Sequence, residues 1–373
     1  MNPAEIGAGF EAILGPHFGP VRVLKAVQLA GGASKEAWAV DLEAGDLEAG
    51  DLEAGLQTQS GSGVLEVLVR RAGGGTINSE TLTLEQEFKV LERAFASGVT
   101  APEPLAYLPD CFGREAFVMR RLHGESIGRR VVSKPEFAQA RTKLPLRMAE
   151  ELARIHAVSL EGLEFLPGTR QADTGPDTGP DTGPDTGLDT VPAWVARLRH
   201  ELDAIDEPHP VIELALYWLE HHAPAPHPTR LLHGDFRIGN LMVSGSDLIG
   251  VIDWEFAHVG DPAEDLAWGL IRAWRFGQDH LRLGGVGQVE GFLECYNALS
   301  GQLITLEQLF FWEVMGNAKW AVGALTQARR HLNNLERNVE LATLGRMACE
   351  MEFELLALLK PRLLKDKFSK GGL

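Results

Sequence analysis

Residues 231–243 read Leu231-Leu232-His233-Gly234-Asp235-Phe236-Arg237-Ile238-Gly239-Asn240-Leu241-Met242-Val243, and Asp253 follows in Ile249-Gly250-Val251-Ile252-Asp253-Trp254-Glu255. Two short apolar runs, Leu241–Val243 and Leu248–Ile252, have the composition of buried strands. One would hold Asn240 in place, the other Asp253. A carboxylate at Asp235 can accept the proton of a reacting hydroxyl. Asn240 offers a neutral carbonyl oxygen to a hard cation, and Asp253 a charged one. An Asp–Asn pair five positions apart is common by chance, but the pattern continues through Gly260-Asp261-Pro262 and Asp265-Leu266-Ala267-Trp268. Asp261 ahead of Pro262 has the form of a helix N-cap followed by proline at the first helical position.

Outward from this stretch the chain divides in character. On its N-terminal side Val21–Leu29 and Ala37–Leu42 read as strands around a Gly31-Gly32 turn, and Val64–Arg70 and Ala116–Arg121 as further strands. Leu84–Ala96 has helical spacing, with Phe88, Leu91 and Phe95 on one stripe. Beyond residue 121 the periodicity is helical, over Leu146–His156, Trp194–Ile205, Val211–His221 and the stretches from Leu306 to Leu359. The expectation is an α+β chain with a small sheet-bearing lobe over residues 1–120 and a larger helical lobe over 121–373. Nucleotide sites often lie between two such domains.

The net charge of −17 invites a functional reading that composition does not support. Asp-Leu-Glu-Ala-Gly occurs three times over residues 41–55, and Asp-Thr-Gly-Pro repeats from Asp173 to about 190. These tracts hold eleven acids and no base, and without them the charge is −6. Neither can bury enough apolar surface to offset its ordering entropy, so both are expected to be surface loops. The remaining balance gives no basic footprint for nucleic acid. No apolar run reaches the roughly 18 residues of a membrane span. The first residues lack a basic region followed by an apolar stretch, and Cys111, Cys295 and Cys349 fit neither a disulfide framework nor a zinc site. A cytoplasmic setting is expected, with the oligomeric state open.

From Leu231 to Trp268 the chain resembles the aminoglycoside phosphotransferase-like family, which includes choline kinases and shares its fold with protein kinases. Trp312-Glu313-Val314, Lys319-Trp320-Ala321, Ala328-Arg329-Arg330 and the closing helix resemble the branch found fused to acyl-CoA dehydrogenases. The resemblance implies a protein-kinase-like two-lobe fold with an antiparallel sheet in the small lobe. It implies ATP and Mg²⁺ as cofactors and the hydroxyl of a small molecule as acceptor. Asp235 is then the catalytic base, and Asn240 and Asp253 are the metal ligands. Arg237, two residues after Asp235, is placed to reach the phosphoryl group in flight. Gly31, Gly32 and Ser34 form the phosphate turn. Arg70 stands where protein kinases carry lysine and can grip phosphate through two donors, with Glu87 as its helix partner. Phe117–Arg120, with Val118 and Met119 at its centre, corresponds to the hinge that contacts adenine. The turn departs from the family at Ala37, where threonine is frequent. Asp253-Trp254-Glu255 in place of Asp-Phe-Gly, and the lack of an Ala-Pro-Glu segment, argue against a protein kinase. A hydroxy acid or hydroxyacyl compound is the acceptor expected. An aminoglycoside O-phosphotransferase and a nucleotide-binding pseudoenzyme remain as alternatives.

Overall fold

Ile6, Phe10, Leu14 and Phe18 recur every four residues and give the first helix, α1 (Pro3–Phe18), an apolar stripe. Phe10 and Leu14 are fully buried. This helix is additional to the elements expected from sequence. The computed structural model describes residues 3–29, 35–44, 63–73, 81–168, 191–336 and 339–370. The chain forms two compact units, Met1–His123 with Ile249–Phe256, and Gly124–Leu248 with Ala257–Leu373.

The first unit is built on five strands, β1 (Val21–Leu29), β2 (Lys35–Ala44), β3 (Val64–Ala72), β4 (Pro104–Leu108) and β5 (Ala116–Arg120). They make one antiparallel sheet in the order β1-β2-β3-β5-β4. Side chains alternate across such a sheet. Leu65, Val67 and Val69 of β3 and Val118 of β5 join the cluster that holds Phe10 and Leu14. On the other face Phe117 meets Phe88 of α2 (Leu84–Ala96), with ring centroids 5.7 Å apart. Arg70 is the register partner of Phe117, so alternation puts Arg70 on the α2 face as well. Thr83 caps α2 through a capping box with Gln86. The buried stripe of α2 runs through Leu84, Glu87, Phe88, Leu91 and Ala94. Phe95, expected on that stripe, is instead 41% exposed, so the stripe ends at Ala94.

The first repeat tract is not a loop at its start. Asp41–Ala44 complete β2, opposite Val21–Lys25 of β1. Leu42 continues the two-residue alternation begun at Val40, and both are fully buried. Asp41 pairs with Arg121 at 2.7 Å. The first copy of the repeat therefore doubles as strand, because its leucine falls on the core-facing register. The rest of that tract and the whole of 173–190 lie outside the described residues. Segment 249–256 enters the first unit through backbone bonds from Val251 N to Thr100 O (2.7 Å) and from Leu82 N to Glu255 O (2.8 Å).

The described residues of the second unit are mainly helical, with α3 (Gly128–Ser133), α4 (Ala138–His156), α5 (Val191–Ile205) and α6 (Pro210–His221) ahead of the motif. Short strands β6 (Arg230–Leu232) and β7 (Leu241–Val243) flank the motif loop; β8 (Leu248–Val251), whose last three residues belong to the first unit, leads to Asp253 there. β9 (His258–Gly260) pairs antiparallel with β6. Helices α7 (Pro262–Trp268), α8 (Val289–Ser300), α9 (Leu306–Leu332) and α10 (Val339–Lys370) complete the unit. Among the described residues no helix is long and apolar enough to cross a membrane.

A buried ion network ties α9 and α10 to the segment after α7. Glu313 is fully buried and lies 3.0 Å from Arg275, which also pairs with Glu354 at 2.9 Å and donates to Leu270 O. Arg282 pairs with the other Glu313 oxygen. Removing one partner of such a pair leaves an uncompensated buried charge. Glu313→Ala is expected to lower unfolding free energy by about 3 kcal/mol, the low end of the range because Glu354 still faces Arg275. Denaturant melts measure this, and a loss below about 1 kcal/mol would show that the network adds little.

Candidate active site

Within the first unit, five charged side chains from distant positions meet. Arg70 Nε lies 3.1 Å from Glu87 Oε1, and Arg70 Nη2 lies 3.6 Å from Glu255 Oε2. The same guanidinium pairs with Asp253. Lys35 Nζ sits 2.5 Å from Glu87 Oε2 and 2.8 Å from Glu255 Oε2. Two cations thus face three carboxylates, which leaves one negative charge in excess. Burial by itself would lower the Arg70 pKa, but Glu87, Asp253 and Glu255 outweigh it and hold the guanidinium firmly charged. Burial, with the neighbouring Asp253 charge, raises the Glu255 pKa, and Lys35 and Arg70 pull against that rise. Asp253 has φ 70°, in the left-handed region. That conformation costs about 1–2 kcal/mol for an L-residue, and Asp is among the residues that tolerate it.

Within the second unit, the loop between β6 and β7 is held from α7. Asp261 caps that helix, accepting from Ala263 N at 2.9 Å, with Pro262 at its first turn. Asp265, one turn on, accepts from His233 N at 2.7 Å and from Gly234 N at 2.9 Å. Gly234 has φ 79°, a conformation that only glycine adopts cheaply. Trp268 follows Asp265 by three residues, so both project from one face of α7. Its indole Nε1 donates to Asp235 Oδ1 at 2.6 Å.

Asp235 is held by two more donors. Arg237 Nε reaches both carboxylate oxygens, at 3.0 and 3.2 Å, and Asn240 Nδ2 donates to Oδ2 at 2.6 Å. The Arg237 guanidinium lies 4.4 Å above the Trp274 ring. A Cβ at Gly239 would come within 2.1 Å of Arg237 Nη1, so glycine leaves room for that arginine. Asn240 Nδ2 also donates to Asp235 O at 2.9 Å. With its amide nitrogen so committed, the Asn240 side-chain oxygen is the group left to ligate a hard cation. The donor set fits magnesium, which takes one or two side-chain oxygens from a protein and the rest from phosphates and water.

The sequence-based set is thus found in three places. Arg70, Glu87 and Asp253 meet in the first unit, and Asp235, Arg237 and Asn240 meet in the second. Gly31, Gly32 and Ser34 lie outside the described residues. Val118 and Met119 are inside β5, which pairs with β3 on one side and β4 on the other, so their backbone groups lie within the sheet ladder. Lys35, Glu255 and Trp268 are additions. Glu255 and Trp268 each stand in a motif already singled out, and the i, i+3 relation of Trp268 to Asp265 was the available signal. Trp312 and Leu325 are core residues, at 5% and 9% exposure.

Asp265 also sets a pH dependence. Burial raises its pKa, but hydrogen bonds and charge from His156, the nearby His233 and the loop backbone prevail and hold it below the ordinary carboxylate value. A depressed folded-state pKa contributes stability that is full above the unfolded value of about 4 and is lost as pH falls through the folded one. Unfolding free energy should therefore drop with falling pH below about 4, and Asp265→Asn should flatten that limb. Equal acid limbs for both proteins would assign the acid sensitivity elsewhere.

A family model described as the phosphotransferase enzyme family matches residues 26–301. A curated relative, acyl-CoA dehydrogenase family member 10 from Mus musculus, is 27% identical over 212 residues. The match covers 55% of this chain and 18% of the relative, so the chain spans less than a fifth of that protein. A crystallised candidate aminoglycoside phosphotransferase from Ralstonia eutropha superposes with TM-score 0.64 at 17% identity, covering 95% of this chain and 98% of its own. A spectinomycin phosphotransferase solved with ADP and spectinomycin gives TM-score 0.57 at 13% identity, covering 93% and 98%. These structures share with this chain the protein-kinase-like α+β fold.

Proposed function

Because the chain belongs to the phosphotransferase enzyme family, we propose that it transfers the γ-phosphate of ATP, as its magnesium complex, to a hydroxyl of a small molecule. The observation that carries this reading is the arrangement at Asp235, whose carboxylate is held by Arg237, Asn240 and Trp268 while the Asn240 oxygen is left over. Asp235 accepts the acceptor's proton as the oxygen attacks phosphorus. Asn240 and Asp253 would hold the metal, which would supply charge neutralisation to the phosphates. Arg70, braced by Glu87, grips phosphate, and Lys35 adds a second cation to the same cluster. Gly31, Gly32 and Ser34 supply the phosphate turn. The adenine contact is proposed for the Phe117–Arg120 stretch with Val118 and Met119, or for the backbone just beyond Arg121, whose own N–H goes to Glu66 O.

The acceptor we propose is a hydroxy acid or hydroxyacyl compound. In the second unit Trp268 and Arg237 touch Asp235, and Trp274 and Trp320 continue the aromatic wall with centroids 5.1 Å apart. Lys319 stands 5.8 Å from the Trp268 ring. Arg237 and Lys319 are each paired with one carboxylate, Asp235 and Glu264, and their remaining donors suit an anionic acceptor, while the tryptophan rings suit its apolar body. The test is ADP release and product mass with Mg-ATP and a panel of hydroxy acids, hydroxyacyl thioesters, choline and kanamycin. Acceptor-dependent release with the hydroxy acids or thioesters is expected. Silence across the panel would point to a nucleotide-binding protein without transfer, and efficient kanamycin phosphorylation would overturn the acceptor class.

A further inference from the structure

Within the second unit the C-terminal ends of α4 and α8 and the start of β6 line an open-sided cavity of about 290 Å³, and of its residues only His156, the partner of Asp265, has been given a role above. That is near the lower end of ligand-site volumes, about 300 Å³. Val158 and Leu299 form its apolar wall. Its polar lining includes Tyr296, which is fully buried, and His156, which is 3% exposed. Arg230 also lines it. Its guanidinium donates to Thr229 O at 3.2 Å and, among the described residues, enters no ion pair. The half-buried Arg70 and Arg147 and the buried Arg275 all face carboxylates. Arg230 instead lines the cavity. Burial raises the Tyr296 pKa, and Arg230 acts in the opposite direction, so the arginine's field reaches the Tyr296 hydroxyl. A planar guanidinium without a protein carboxylate is the group best suited to a carboxylate or phosphate.

The cavity is joined to the motif loop by a chain of hydrogen bonds. Tyr296 Oη lies 2.7 Å from His156 Nδ1, and His156 Nε2 lies 3.3 Å from Asp265 Oδ2. A neutral His156 that gives Nε2–H to the carboxylate accepts the tyrosine hydroxyl on Nδ1, and a protonated one donates to both partners. Asp265 in turn takes the N–H groups of His233 and Gly234. Arg230 is also the first residue of β6, which runs directly into His233. We propose that this cavity binds a small oxyanion, carboxylate or phosphate, on Arg230, and that the loop carrying Asp235 senses its occupancy through Tyr296, His156 and Asp265. The ligand's charge lies against Arg230 and its body against Val158 and Leu299. Binding neutralises Arg230, which changes the field at the Tyr296 hydroxyl and so shifts the hydrogen bonds that hold the loop backbone.

The experiment uses the full chain saturated with ADP, titrated with inorganic phosphate and, in parallel, with acetate, and followed by calorimetry and by the backbone amide resonances of His233 and Gly234. One-site binding of at least one probe is expected, with a shift of both amides. The probe that binds tells phosphate from carboxylate. Arg230→Gln should weaken binding tenfold or more. Ala157→Trp, which fills the cavity mouth and keeps the arginine, should do the same and serves if Arg230→Gln fails to fold. Tyr296→Phe should retain binding and lose the amide shifts. The proposal is overturned if neither probe binds, if ADP competes with the probe, if the cavity variants bind as the wild type does, or if the amides move equally without the tyrosine hydroxyl.

Discussion

Asparagine in place of Asp235 is expected to lower kcat by about three orders of magnitude, within the range of about 10²–10⁴ measured for positioned general bases. The amide has no basicity to accept the hydroxyl proton. On the proposed roles ATP affinity should be nearly unchanged, because the carboxylate would act on the acceptor and Arg70 and Lys35 pair with other carboxylates. Three donors address this carboxylate, from Arg237, Asn240 and Trp268. The substituted amide accepts on one atom only, and its NH₂ opposes one of those donors, so a modest fall in Tm is expected as well. Calorimetric titration of Mg-ATP beside steady-state rates separates the two effects. Wild-type turnover in Asp235→Asn would end the assignment, and a parallel loss of ATP binding would move Asp235 to the metal. Asp253→Ala is the contrast, because loss of a metal ligand should weaken Mg-ATP binding itself.

The second large effect is expected at Arg237. In phosphoryl transfer, negative charge spreads over the equatorial oxygens of the moving group, and a fixed cation stabilises that state more than ground-state ATP. Arg237→Ala should lower kcat by about two to three orders of magnitude, the loss typical of one preorganised electrostatic group, with a much smaller change in the KM for ATP. The resting geometry gives Arg237 a second task, because its Nε pairs with both Asp235 oxygens and its guanidinium stacks on Trp274. A bracing role and a transition-state role differ in the lysine variant. Lysine keeps the charge but can neither span two oxygens nor stack as a plane. If the cation acts in the transition state, Arg237→Lys recovers part of the kcat lost in Arg237→Ala. Parallel losses of kcat and Tm in both variants would assign Arg237 to bracing alone.

Much of the fold was legible because its signals are local. The short β-rich run Val64–Arg70 predicts β3, and the spacing of Leu84–Ala96 predicts α2 with Glu87 on it. The stop in Phe95's stripe was not legible, since where a helix leaves its sheet depends on packing partners. Helix α1 shows its four-residue repeat plainly once sought. The first repeat tract misleads for a related reason. Low complexity marks a segment unable to fold alone, yet a strand edge already in place recruits Leu42 by register.

What the sequence by itself determined is the chemistry on offer. It set Asp235, Arg237 and Asn240 within one short loop, and it set a helix whose i, i+3 positions Asp265 and Trp268 share a face. Such arrangements follow from chain geometry over a few residues and need no distant partner. What only the tertiary structure decided is which charges meet. Arg70 and Asp253 are 183 positions apart, and Lys35 and Glu87 are 52 apart, yet both pairs are in contact. Glu255, ordinary in the sequence, becomes a partner of both cations. Charge–charge energy depends on distance and on the water excluded between partners. Neither quantity exists until the sheet, α2 and segment 249–256 have packed against one another.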